Sequence, residues 1–115
     1  MKNSVWKLES DFYWNSPEPF WQGMPNEITN NLSQSIITIV KGDANYRRVH
    51  GDLHWPYTYK TNQLASYFPS TFVMLRTLKS EVQSGLDDET LNWVSKEEDW
   101  LVTGKFGVIQ SVTLN

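Results

Sequence analysis

The stretch Ile36-Ile37-Thr38-Ile39-Val40-Lys41-Gly42-Asp43-Ala44-Asn45-Tyr46-Arg47-Arg48 constrains this chain more than any other. A β-branched apolar run stops at a glycine and gives way at once to an acid, an amide, a phenol and two guanidinium groups. The run has the length and composition of a strand buried on both faces. Gly42 permits a sharp turn or a close backbone approach at its carboxyl end. In open α/β sheets ligands bind outside that end, so Asp43 to Arg48 read as a candidate site. The competing reading makes Asp43 and Asn45 a helix cap or a turn, and Arg47 and Arg48 a solvated face.

A second apolar run of strand length, Phe72-Val73-Met74-Leu75, is followed by Arg76-Thr77-Leu78-Lys79-Ser80-Glu81. If the two strands lie parallel in one sheet, both exits open on the same edge. Arg76, Lys79, Arg47 and Asn45 can then converge on one anion, and cations with an amide donor suit a phosphate better than a neutral ligand. The alternative is a structural ion network in which Arg76 and Lys79 pair with Glu81 or Asp43.

The remaining segments frame these two. Val5-Trp6-Lys7-Leu8-Glu9 alternates as a half-buried strand does. Asp11 to Trp21 is aromatic and broken by Pro17 and Pro19, which predicts an ordered loop. Pro25 to Ser33 opens with proline and an acid and places Ile28 and Leu32 one turn apart, which predicts a short helix against the sheet. His50 and His54 have the spacing of metal ligands on a helix, but Gly51 and Pro56 argue against a continuous helix there. A short helical turn is expected over Gln63 to Tyr67, another within Asp87 to Glu98, and a last strand over Thr103 to Gln110.

Six Trp, five Tyr and five Phe in 115 residues argue for a packed core. A net charge of −3 gives no reason to expect nucleic acid, and the absence of cysteine removes disulfides and thiolate metal sites. No apolar run approaches the roughly 20 residues that cross a bilayer, and a cytoplasmic protein without membrane contact is expected. A strand covered on both faces needs more helices than this sequence offers. An incomplete domain is therefore expected.

Lys41-Gly42-Asp43-Ala44-Asn45-Tyr46-Arg47-Arg48, with Gly51-Asp52, Trp55-Pro56, the segment Leu75 to Leu86 and Thr103 to Gly107, resembles the damage-control phosphatases. These form the domain-of-unknown-function eighty-nine family, whose eukaryotic members were also described as acidic-residue methyltransferases. Arg76, Thr77 and Lys79 match the Arg-Thr-x-Lys signature of the family's third branch.

The resemblance implies a metal-dependent phosphatase acting on small phosphate esters such as sugar phosphates. It implies a three-layer α/β/α Rossmann-like sheet, of which residues 1–115 are the carboxyl-terminal part. Asp43, Ala44, Asn45, Tyr46 and Arg47 are then expected to contact substrate and Lys79 to bind the phosphate, with Ala44 in place of the usual leucine. The divalent ion (Mn, Co, Ni or Mg) is bound in the family by an Asp-Asn pair and a further Asp, which nothing before Asp43 matches. Its ligands are expected outside this chain, on a missing amino-terminal segment of the same domain. Two rivals remain: an S-adenosylmethionine-dependent protein-glutamate methyltransferase, for which no glycine-rich adenosyl loop is present, and a non-catalytic fragment that binds phosphorylated ligands.

Overall fold

The computed structural model describes residues 5–114. Its centre is β2 (Phe72–Thr77), whose alternation of large apolar side chains with smaller or more exposed ones suits a sheet covered on one side. On one edge β2 pairs in parallel with β1 (Thr38–Lys41), from Thr38↔Phe72 to Lys41↔Leu75. On the other it pairs antiparallel with β3 (Gly107–Val112), from Phe72↔Val112 to Thr77↔Gly107. The fold is thus α/β with a mixed sheet of order β1-β2-β3, as expected of part of a Rossmann-like domain. The parallel pairing of the two apolar runs, expected from sequence, is present.

The register divides the sheet into two faces. Val40, Phe72, Met74 and Val112 share the inner face and are buried. Helix α2 (Asp43–Val49) packs on this face with Tyr46 and Val49, joined by Ile28 of α1 (Asn26–Ser33) and by Leu64, at the end of α3 (Thr61–Leu64). Phe68 packs against Phe72 in a tilted arrangement with 4.2 Å between ring centroids. Burying one such side chain contributes roughly 1.5–3 kcal/mol, so this face carries most of the apolar stabilisation.

The other face is open. Ile39 is 65% exposed and Ile109 80%, and Ile36, before the strand begins, is 95% exposed. This corrects the expectation that Ile36–Val40 is buried on both sides. The strand starts two residues later, at Thr38, and pairs only with β2, so only its inward residues reach the core. The segment Val5 to Glu9 is also corrected. It carries no regular secondary structure, and Val5 and Leu8 are exposed. Alternation supplies an apolar face, but a strand also needs a neighbour to hydrogen-bond.

The aromatic loop is ordered, as its prolines and rings suggested. Asp11 caps a 3-10 turn at Phe12–Asn15, its carboxylate accepting from the Tyr13 amide at 2.8 Å. The buried Arg48 guanidinium donates to the carbonyls of Glu18, Trp14 and Tyr13 at 2.7, 3.0 and 3.0 Å and lies 4.4 Å above the Phe20 ring. The expected turn near Gln63 falls slightly earlier, at α3, and the acidic helix is α4 (Asp88–Val94), capped by Asp87. No helix among the described residues is long and apolar enough to cross a membrane.

Gly42 links β1 to α2 with φ 97° and ψ 160°, a conformation that only glycine adopts readily. An added Cβ would meet nothing within 4 Å, so the requirement is the sharp turn and not a close approach. Gly42→Ala is expected to lower stability by about 1–3 kcal/mol through backbone strain, read as a shifted urea midpoint with an unchanged slope.

Candidate functional site

Because β1 and β2 run parallel, their carboxyl ends open on the same edge, and antiparallel β3 starts there with Gly107. A cleft of about 680 Å³ occupies this edge. Lys41, Asp43 and Lys79 bring charge to it, while Leu75, Val108 and Ile109 give apolar wall. Gly107 is needed where β3 passes, since a Cβ there would lie 3.0 Å from the Arg76 carbonyl oxygen. This is the close backbone approach that the glycines of the last strand suggested.

Arg76 organises the floor. Strand alternation puts it on the inner face with Phe72 and Met74, and its side chain is fully buried. Its Nε donates to Asp43 Oδ1 at 2.7 Å. Nη1 donates to the Val82 carbonyl at 2.6 Å and Gln83 Oε1 at 3.0 Å, and Nη2 to the carbonyl and hydroxyl of Ser80, both at 3.0 Å. The guanidinium plane sits 4.1 Å from the centre of the Tyr46 ring. Asp43 Oδ1 also accepts from the Ser80 hydroxyl at 3.1 Å and the Lys79 amide at 3.3 Å. One ion pair therefore joins the exits of both parallel strands and shapes the loop that carries Lys79.

That loop is held from a second side. Leu78 is buried with Val94, Trp100 and Leu101. Its amide donates to the Phe106 carbonyl at 2.9 Å, and its carbonyl accepts from the Gly104 amide at 3.0 Å. Lys79, the next residue, projects exposed into the cleft from a fixed backbone.

The structure brings some of the expected site residues together and separates others. Asp43 and Lys79 share the cleft, with Arg76 and Thr77 beside them. Arg76 faces Asp43 in a structural pair, as the ion-network alternative had it. Arg47 does not join them. It donates to both carboxylate oxygens of Asp52, at 2.7 and 2.9 Å, and borders a separate depression with Ala44, Pro17 and Pro19. The Asp52 carboxyl is held below its usual range chiefly by the Arg47 hydrogen bond. Asn45 turns its amide back to the Lys41 carbonyl at 2.9 Å. Tyr46 is buried and donates to Gln110 Oε1 at 2.7 Å, and burial pushes its phenol pKa up.

His50 and His54 do not form a pair. His54 is exposed, whereas His50 is fully buried and stacked on Tyr46 at 4.1 Å. Its Nδ1 lies 2.8 Å from the Tyr46 carbonyl, which only accepts, so Nδ1 carries the proton. Nε2 then accepts from the Ser84 hydroxyl at 2.7 Å, and Ser84 accepts in turn from Thr61. Both ring nitrogens are used. Among the described residues no group of three or more His, Cys, Asp or Glu side chains is arranged to hold a metal ion. The one carboxylate of the cleft, Asp43, already accepts three hydrogen bonds on a single oxygen. The residues present therefore do not by themselves fit the divalent ion that the resemblance implies.

Lys41 was not singled out from the sequence, although the signal was there. In a strand with Val40 inward, Lys41 faces outward, level with Leu75 and Ile109, which line the cleft.

The fold is an α/β sheet with a cation-lined cleft outside the carboxyl ends of two parallel strands, the edge at which open α/β sheets hold their ligands. The family follows from comparison. Residues 2–92 match the model of the damage-control phosphatase ARMT1-like domain, and the chain belongs to that family. It is 35% identical over 118 residues to damage-control phosphatase ARMT1 of Xenopus tropicalis, covering 98% of this chain and 27% of that protein. To the rat protein of the same name it is 33% identical, with 91% and 25% covered, and to the human one 30%, with 96% and 26% covered. The chain thus spans about a quarter of the length of these relatives.

Two outcomes are expected from this geometry. Arg76→Ala strands Asp43 and frees the loop after β2, at a cost of about 3–5 kcal/mol, measurable by urea unfolding. Burial holds the His50 pKa at about 4 against an ordinary 6.5. The unfolded chain takes up this proton first as pH falls, so the contribution of neutral His50 is complete above pH 6.5 and is lost between 6.5 and about 4. The loss is roughly 3 kcal/mol, and His50→Gln should flatten that part of the stability–pH curve.

Proposed function

We propose that residues 1–115 form the phosphate-side, carboxyl-terminal portion of a damage-control phosphatase domain acting on small phosphate esters such as sugar phosphates. The observation that carries this reading is the meeting of Asp43 and Lys79 at one cleft, with the Asp43 charge already balanced by Arg76. What is left facing solvent is positive and borders an apolar wall, which suits a phosphoryl group joined to a small carbon skeleton. Lys79 neutralises phosphoryl oxygens as charge builds on them during transfer. Asp43, fixed by Arg76 and Ser80, orients a substrate hydroxyl or a water. Asn45 and Arg47, held by the Lys41 carbonyl and by Asp52, lie outside this cleft.

Family membership supports phosphatase chemistry, and with it a divalent ion. The ligands of that ion come from outside these residues, and the third layer that would cover Ile39 and Ile109 comes from there too. The chain alone is therefore a binding element and not a catalyst.

The test is made on the purified chain. It should bind inorganic phosphate weakly by NMR titration, with the largest shifts at Asp43 and Lys79, and Lys79→Ala should abolish the binding. It should not hydrolyse a sugar phosphate with Mn²⁺, Co²⁺ or Ni²⁺ present. Turnover that a chelator removes would overturn the assignment of the metal ligands. Unchanged phosphate binding by Lys79→Ala would overturn the assignment of the phosphate site.

A further inference from the structure

The charge inside the cleft does not balance, and part of the imbalance comes from Lys41, a residue not among the expected substrate contacts. The cleft is lined by three cationic side chains, Lys41, Arg76 and Lys79, and a single carboxylate, Asp43. Arg76 and Asp43 are spent on each other at 2.7 Å. That leaves two ammonium groups, neither of which makes an ion pair or side-chain hydrogen bond among the described residues, although Lys7, Arg47 and Lys105 each have a carboxylate partner. Both are exposed. They enter from different strand exits: Lys41 is the last residue of β1, and Lys79 lies two residues beyond β2.

Two unpartnered like charges left in one cleft repel each other. Their shared apolar wall of Leu75 and Ile109 weakens solvation on one side. An anion held between them removes the repulsion and gains from both. We infer that Lys41 is a second phosphate ligand and that, together with Lys79, it sets the site's preference for a doubly charged phosphomonoester over a singly charged phosphodiester.

This rests on the proposed function and adds to it a residue and a rule of selection. Lys79 alone supplies one charge and attracts any phosphate. The second ammonium gains most from an anion carrying two charges, since each interaction scales with the product of charges. A monoester near neutral pH has lost both protons, its second pKa being about 6, whereas a diester has only one negative charge. Lys41 lies at an exposed strand end with its backbone carbonyl already accepting from Asn45. Substituting its side chain therefore leaves the packed face of the sheet untouched.

The experiment titrates the chain and its Lys41→Gln, Lys41→Arg and Lys79→Gln variants at pH 7.5 with methyl phosphate and with dimethyl phosphate, by NMR, with thermal unfolding as a folding control. The native chain should prefer methyl phosphate. Lys41→Gln should bind methyl phosphate about tenfold more weakly, the loss expected for one charge-assisted hydrogen bond. It should bind dimethyl phosphate only about threefold more weakly, since half the charge halves the free energy. Lys41→Arg should restore the preference. If Lys41→Gln binds methyl phosphate as the native chain does while Lys79→Gln does not, the inference about Lys41 is wrong and the phosphate site stands. If the folded native chain binds neither ester, the phosphate site fails and Lys41 falls with it.

Discussion

The buried pair of Arg76 and Asp43 is the contact on which the cleft edge of the sheet depends. A guanidinium taken fully out of water is costly unless every donor is satisfied. Here its donors reach one carboxylate, two carbonyls, an amide oxygen and a hydroxyl, and its face rests on Tyr46. The partners come from the turn after β1 and the loop after β2, so satisfying the charge brings the two strand exits together. Below it, Gln83, Tyr46, Ser84 and His50 continue the polar network into the core, and no buried side-chain polar atom among the described residues is left without a partner. Networks of this kind hold one arrangement because any partial version leaves a buried group unpaired.

A division of labour follows. Arg76 and Asp43 use their charges on each other and so provide shape. Lys79 is fixed in its backbone by Leu78 and keeps its charge for solvent. The short signature thus contains a buried cation that gives shape and an exposed one that faces solvent. Arg48 shows the same economy elsewhere: it is buried, makes four hydrogen bonds, and ties the aromatic loop to α2.

Much of this was legible in the sequence, for reasons that can be named. Two short apolar runs, each closed by a polar turn, predicted two strands, and Gly42 predicted the sharp exit. Thr38–Lys41 and Phe72–Thr77 then do lie parallel. The failure at the first strand has a plain cause, which is that residue composition does not say how many faces of a strand are covered. Ile36, Ile37 and Ile39 look like core residues, yet the sheet carries its packed layer on one side only and they remain outside it. The roles of Arg76 and Lys41 were readable from parity along their strands. Phe72, Met74 and Arg76 point one way, Ile39 and Lys41 the other. Grouping Arg76 with Lys79 by sequence proximity to the strand end, and leaving Lys41 out, obscured that difference. Whether Arg76 met a ligand or Asp43 depended on a contact 33 residues away in the chain, beyond the reach of any local pattern.

The antiparallel strand has its own bearing on the edge. No tight hairpin sets the alignment of β3, because α4 and a long connection separate it from β2. Its alignment is held by Gln110, which accepts from the Tyr46 hydroxyl and donates to the Ser84 carbonyl, and by the buried Val112 opposite Phe72 at the far end. A slip of two residues would keep the inward and outward faces intact and yet move Ile109 to the position of Gly107, where even a methyl group would press on the Arg76 carbonyl. Val112, distant from every charged group of the cleft, thereby acts with Gln110 as the gauge for the width of its mouth.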